Sequence, residues 1–122
     1  INPDERPKAP GMKYRHYAPQ AEVIIISGDK QQIYDYINDR PDEGAAVLCF
    51  DGEEQYYKNK LCLSYGGEDK PSVLAENLFA CLRELDREDI KTIYARCPSE
   101  DGVGFAVANR LKKAAGGRIV CL

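Results

Sequence analysis

Histidine is almost missing from this chain: among 122 residues His16 is the only one. The five cysteines, Cys49, Cys62, Cys81, Cys97 and Cys121, form no CxxC pair. These two shortages exclude a classical zinc site, which needs Cys and His ligands at short spacing. They also leave no legible Ser-His-Asp, Cys-His or HExxH arrangement. No apolar run approaches the ~20 residues of a membrane span, and the first residues lack the pattern of a signal peptide. Positive charge is not in excess either. The formal net charge is −3 and the sequence pI about 5.2, so no direct nucleic-acid binding is expected. There is no Walker-type GKS or GKT, no internal repeat and no low-complexity segment.

What is present is the composition of one globular domain. Hydrophobic residues make up 43% and charged residues 30% of the 122, enough for a single core. An odd number of scattered thiols fits a reducing cytoplasm. Cys49, Cys62, Cys81 and Cys121 fall in apolar runs and read as small hydrophobes. Cys97 precedes Pro98 at a strand end, with no activating base beside it.

The hydrophobic pattern alternates between two periods. Residues 22–27 (EVIIIS) and 45–50 (AAVLCF) predict strands buried on both faces, and residues 61–65 and 90–95 predict two more. Asp29 can cap a helix that runs to about residue 40, with Gln32 placed as in a capping box and Ile33 and Ile37 facing inward beside Tyr34 or Tyr36. Residues 53–59 are too short for a crossover helix and read as one irregular turn. Pro71 opens a helix to about residue 87, with Leu74, Leu78, Cys81, Leu82 and Leu85 on one stripe. A last helix starts near Gly102, turns Val107, Leu111 and Ala114 or Ala115 inward, and stops at Gly116-Gly117. Residues 118–122 are an edge strand or a tail. Strands alternating with helices predict an α/β fold over residues 21–122. It is a Rossmann-like, doubly wound, mostly parallel sheet of four or five strands with helices on both faces and the first strand central.

Such sheets take ligands at the carboxyl ends of their strands. The loops 27–29, 66–70 and 96–104 are the positions to consider. In the third, Gly102 and Gly104 flank a helix start whose free amides can bind an anion or nucleotide, although Glu100 and Asp101 put negative charge at that mouth. The string GVGFAV lacks the third glycine of a GxGxxG signature, and the competing reading is a tight turn with close helix packing. Asp51, Glu53 and Glu54 read as a solvated corner, as do Asp86, Glu88 and Asp89. Asn109 and Arg110 face outward. The domain has no self-contained active site, and neither a metal nor a bound cofactor is expected on it.

Against the acidic background stands the segment 9–19, APGMKYRHYAP, which carries no acid. Pro10 and Pro19 push it toward extended geometry. Residues 1–20 therefore read as an arm presenting Lys13, Arg15 and His16 between the flat faces of Tyr14 and Tyr17.

This string resembles the interdomain linker of the long, two-domain threonylcarbamoyl-AMP synthases, where SPGMKYRHYAP joins an N-terminal YrdC-like catalytic domain to a smaller C-terminal one. Ala9 stands where that family often has Ser; residues 10–19 show no departure. LFACLRELD at 78–86 and GVGFAVANRLKKAAG at 102–116, with Asn109-Arg110-Leu111, also match. The resemblance implies that this chain is a C-terminal α/β domain with its linker. It places the catalytic domain upstream of Ile1, where that domain would bind ATP, L-threonine and bicarbonate. There it would form threonylcarbamoyl-AMP, release pyrophosphate with magnesium assisting, and so supply a tRNA modification. The chain itself would be non-catalytic, and its own catalytic domain would be its partner. On this reading the arm covers the catalytic cleft. Lys13 and Arg15 then contact phosphate or carboxylate, His16 hydrogen-bonds or titrates, and Tyr14 and Tyr17 pack on the rim. The alternatives are a nucleotide- or small-molecule-binding module using the 96–104 loop, and an interaction domain that forms homodimers or docks other tRNA-modifying proteins.

Overall fold

In the computed structural model, which describes residues 19–122, five strands form one parallel sheet. They are β1 Glu22–Ser27, β2 Ala45–Cys49, β3 Leu61–Ser64, β4 Thr92–Ala95 and β5 Ile119–Cys121, in the spatial order β3-β2-β4-β1-β5. Among the described residues the helices are α1 Lys30–Asn38, α2 Pro71–Leu85 and α3 Val103–Ala115, and a 3-10 turn covers Glu54–Tyr56.

Strand alternation divides the core between the two faces. Val23, Ile25, Ala46, Leu48, Ile93 and Ala95 turn toward α2 and α3. Ile26, Val47, Cys49 and Tyr94 turn toward α1. The helices answer with complementary stripes: Leu74, Leu78, Leu82 and Leu85 from α2, Val107 and Leu111 from α3, and Ile33, Tyr34 and Ile37 from α1. Chain travel runs toward the β3 edge on the α1 face and returns on the α2 and α3 face. That reversal is what right-handed crossovers require when a sheet is wound both ways.

Four expectations change. The first strand is not central: β4 takes the middle, paired with β2 at Val47↔Tyr94 and with β1 at Ile24↔Tyr94. The β1-to-β2 crossover skips one position, and β4 fills the gap it leaves. The second helix ends at Leu85 rather than 87, because Asp86 leaves the helical region at φ −83, ψ 68. Its carboxylate accepts hydrogen bonds from the backbone amides of Gln20 at 3.1 Å and Ala21 at 3.2 Å, so it is no free corner. Cys121 is exposed, because β5 is an edge strand and turns it outward. Residues 119–121 are that strand and not a tail.

Candidate functional site

All strands of a parallel sheet end on the same side. Here the loops after β1 and β2 leave over the α1 face, and those after β3 and β4 leave over the other. Neighbouring strands in the order β3-β2-β4-β1 therefore part in opposite directions, and crevices open between them. One cleft, of about 360 Å³, is lined by Lys30, Tyr34, Phe50, Asp51, Tyr56 and Glu68 among others. A second, of about 420 Å³, includes Ser27, Gly28, Glu68, Arg96 and Lys112 in its wall. Glu68 is the one residue common to both.

A buried ionic network underlies the two clefts. Glu53 is 6% exposed and Arg96 5%. The Glu53 carboxylate accepts from Arg96 Nε at 3.1 and 3.2 Å, from the Tyr34 hydroxyl at 3.0 Å and from the Phe50 amide at 3.2 Å. Three local features bring these groups together. Glu53 begins the tight turn after β2, with its amide bonded to the Phe50 carbonyl at 3.1 Å. Arg96 follows β4 directly, and its carbonyl accepts from the Tyr65 hydroxyl at 2.6 Å. The guanidinium then lies 4.7 Å over the Phe50 ring. Burial works against the charge on Arg96, but the hydrogen bond and proximity of Glu53 outweigh it and raise the pKa. Burial, and then the neighbouring Glu53 charge, push the Tyr34 hydroxyl up to about 12, so at neutral pH it is a donor.

One donor of this network is not satisfied. Arg96 Nη2 lies 3.1 Å from Glu53 Oε2 without the alignment of a hydrogen bond, and among the described residues it is buried with no hydrogen-bond partner. Its next anionic neighbour is Glu68 Oε2, at 3.9 Å. Glu68 also pairs with Lys30 Nζ at 3.5 Å.

The expectations for these loops are met unevenly. Glu53 is not part of a solvated corner: the 3-10 turn folds it back under the sheet end. Periodicity cannot find it, because a polar residue in a loop leaves no periodic trace. Arg96 had a faint signal, a charge placed immediately after a mostly buried strand. Gly102 sits at φ +56 with open space around it. Gly104 lies against the Ser99 carbonyl, into which a Cβ would collide. The Gly104 and Phe105 amides bond to the Asp101 and Gly102 carbonyls at 2.9 and 3.0 Å. Across that loop Lys112 pairs with Glu100 at 2.5 Å. Burial raises the Cys97 thiol to about 11, so it stays protonated. Among the described residues no group of three or more His, Cys, Asp or Glu is arranged to hold a metal ion. Lys13, Tyr14, Arg15, His16 and Tyr17 lie outside the described residues.

At the opposite, amino end of the sheet Gln20, Ala21, Asp86, Glu88, Ile90 and Lys91 border a third cleft of about 530 Å³. The amides of Gln20 and Ala21 are held there by Asp86.

Comparison with known proteins adds the family context. Residues 2–116 match the family model described as the C-terminal domain of threonylcarbamoyl-AMP synthase. A threonylcarbamoyl-AMP synthase of Pyrococcus abyssi is 40% identical over 93% of this chain and 33% of its own length. The Bacillus subtilis protein of the same name is 36% identical over 96% and 34%. The chain thus spans about a third of the length of the curated relatives it matches. Among solved structures, P. abyssi Sua5 complexed with L-threonine is similar at a TM-score of 0.73 and 37% identity, over 97% of this chain and 35% of that one. The C-terminal domain of a Sua5 protein from Pyrococcus horikoshii, solved by itself, is similar at 0.62 and 29% identity, over 86% of this chain and all of that one.

Proposed function

The chain belongs to the family of C-terminal domains of threonylcarbamoyl-AMP synthase, and on that premise we propose that it is the accessory domain and lid of such an enzyme. The catalytic part takes L-threonine, bicarbonate and ATP to threonylcarbamoyl-AMP and pyrophosphate, with magnesium assisting, for tRNA threonylcarbamoyladenosine formation in the cytoplasm. This chain carries no catalytic residue; its partner is the catalytic domain of the same protein. The observation that carries the reading is the segment 9–19, which falls inside the matched region 2–116. A P. abyssi relative has been solved with L-threonine bound.

The arm supplies a cover. Closing a cleft over a carbamoyl adenylate excludes the water that would hydrolyse it. Lys13 and Arg15 bring cations to developing phosphate or carboxylate charge. His16 titrates near neutrality when unperturbed, and Tyr14 and Tyr17 seal the rim. The Asp86 carboxylate supports this role at the root, since it holds the amides where the arm joins the domain.

The test is the triple change Lys13→Ala, Arg15→Ala, His16→Ala in the full-length enzyme. Adenylate formation should fall at least about a hundredfold, the order seen when a charge-stabilising donor is lost. Hydrolysis of adenylate released to solvent should rise. Unchanged formation together with unchanged leakage defeats the lid.

A further inference from the structure

We propose that the two carboxyl-end clefts are one binding site for a nucleoside monophosphate, closed in the unliganded protein by Glu68. The phosphate monoester takes the place of the Glu68 carboxylate between Lys30 and Arg96, and the base lies on Tyr56.

The anion seat is defined by what fills it badly. Glu68 stands 3.5 Å from Lys30 and 3.9 Å from Arg96, distances that neutralise charge without making hydrogen bonds. Arg96 Nη2 meanwhile remains buried without a hydrogen bond among the described residues, which costs stability. A phosphate has three acceptor oxygens at tetrahedral angles and can meet both cations where one carboxylate cannot. Of the acids here, Glu53 is buried and bonded four ways, and Glu100 is engaged by Lys112. Glu68 is different: its side chain is 47% exposed, and among the described residues it makes only these two long contacts. It is the acid free to swing out, and as the wall shared by both clefts its departure joins them.

The ring seat lies in the same cleft as Lys30. Tyr56 stacks on Tyr34 with centroids 4.8 Å apart and planes 15° apart, yet remains 48% exposed. An exposed tyrosine braced from behind is a stacking platform. Asp51, exposed at the end of β2, lines the space between and accepts hydrogen bonds from hydroxyl groups such as those of a ribose.

The related domain from P. horikoshii has been solved alone, so this chain can be assayed without a catalytic domain, whose own nucleotide binding would obscure the result. The measurement is amide chemical-shift perturbation on titration with AMP, with adenosine and inorganic phosphate as separate arms. AMP should give saturable shifts at Lys30, Asp51, Tyr56, Glu68 and Arg96, with both fragments weaker. Glu68→Ala removes the internal competitor and should tighten AMP about fivefold. Tyr56→Ala should weaken AMP about tenfold and leave phosphate unchanged. No saturable AMP shift up to about 10 mM in either the parent chain or Glu68→Ala overturns the proposal. So does weaker binding in Glu68→Ala, or phosphate binding as tightly as AMP. None of these three failures touches the lid reading, which is tested separately by substitution of Lys13, Arg15 and His16 in the full-length enzyme.

Discussion

Arg96 and Glu53 form an ion pair from which neither partner can be removed alone. Both are more than nine-tenths buried, and the carboxylate also anchors the Tyr34 hydroxyl and the Phe50 amide. Such a pair is weak evidence of net stabilisation, because desolvation offsets most of the attraction. Deleting one member is another matter, since it leaves a charge in a dry site. Glu53→Ala should therefore lower the unfolding free energy by about 3 kcal/mol in urea titrations. A loss under about 1 kcal/mol would show that the pair is hydrated in solution. The same pair explains why a charged network persists in a domain this small: it holds the loops after β2 and β4 in fixed relation, and the clefts are built on those loops.

At the scale of elements, α3 depends on one close approach. Its second residue, Gly104, packs against the Ser99 carbonyl, a backbone group that cannot swing aside. Gly104→Ala should cost about 2 kcal/mol, the range of overpacking in a filled site, read as a lowered urea midpoint with an unchanged m value. Unaltered stability would mean that the 96–104 loop yields freely. The helices were largely legible beforehand. The Leu74-to-Leu85 stripe, Pro71 at the helix start and the Asp29 cap, which accepts from the Gln31 amide at 3.2 Å, all follow from spacing and local chemistry. The end of α2 was not legible, because Asp86 is drawn out of the helix by amides 65 and 66 residues away in sequence.

For the whole molecule, burial of acidic protons sets an alkaline limit. Tyr34 ionises near 10 when exposed and about 12 in the fold. Cys62 and Cys97 move from 9 to about 11, both chiefly through burial. Between those values the unfolded chain holds fewer protons than the folded one, so rising pH favours unfolding. For these three groups the stabilisation is complete below about pH 9 and is lost progressively up to about pH 12. Tm should hold steady to pH 9 and then decline, and Tyr34→Phe should make the decline above pH 10 shallower without abolishing it, because burial also raises Tyr57, Tyr65 and Tyr94. A Tm that is flat through pH 11 refutes this account. The same scale separates the two proposed roles. The arm roots at the amino end of β1 and the clefts open at its carboxyl end, a strand length of roughly 20 Å away.

Local information was enough for four strands, the three helices, the parallel sheet and the family, because periodicity, capping and a proline-bounded string of unusual composition are properties of neighbours along the chain; the fifth, residues 119–121, could equally have been a tail. Strand order was beyond it. Every strand reads as a short buried run, and nothing in such a run says that β4 will insert between β2 and β1. The Glu53–Arg96–Glu68 cluster was beyond it too. Its members come from three loops, and their burial, their pairing and the unsatisfied donor exist only once the sheet brings the ends of β2, β3 and β4 side by side.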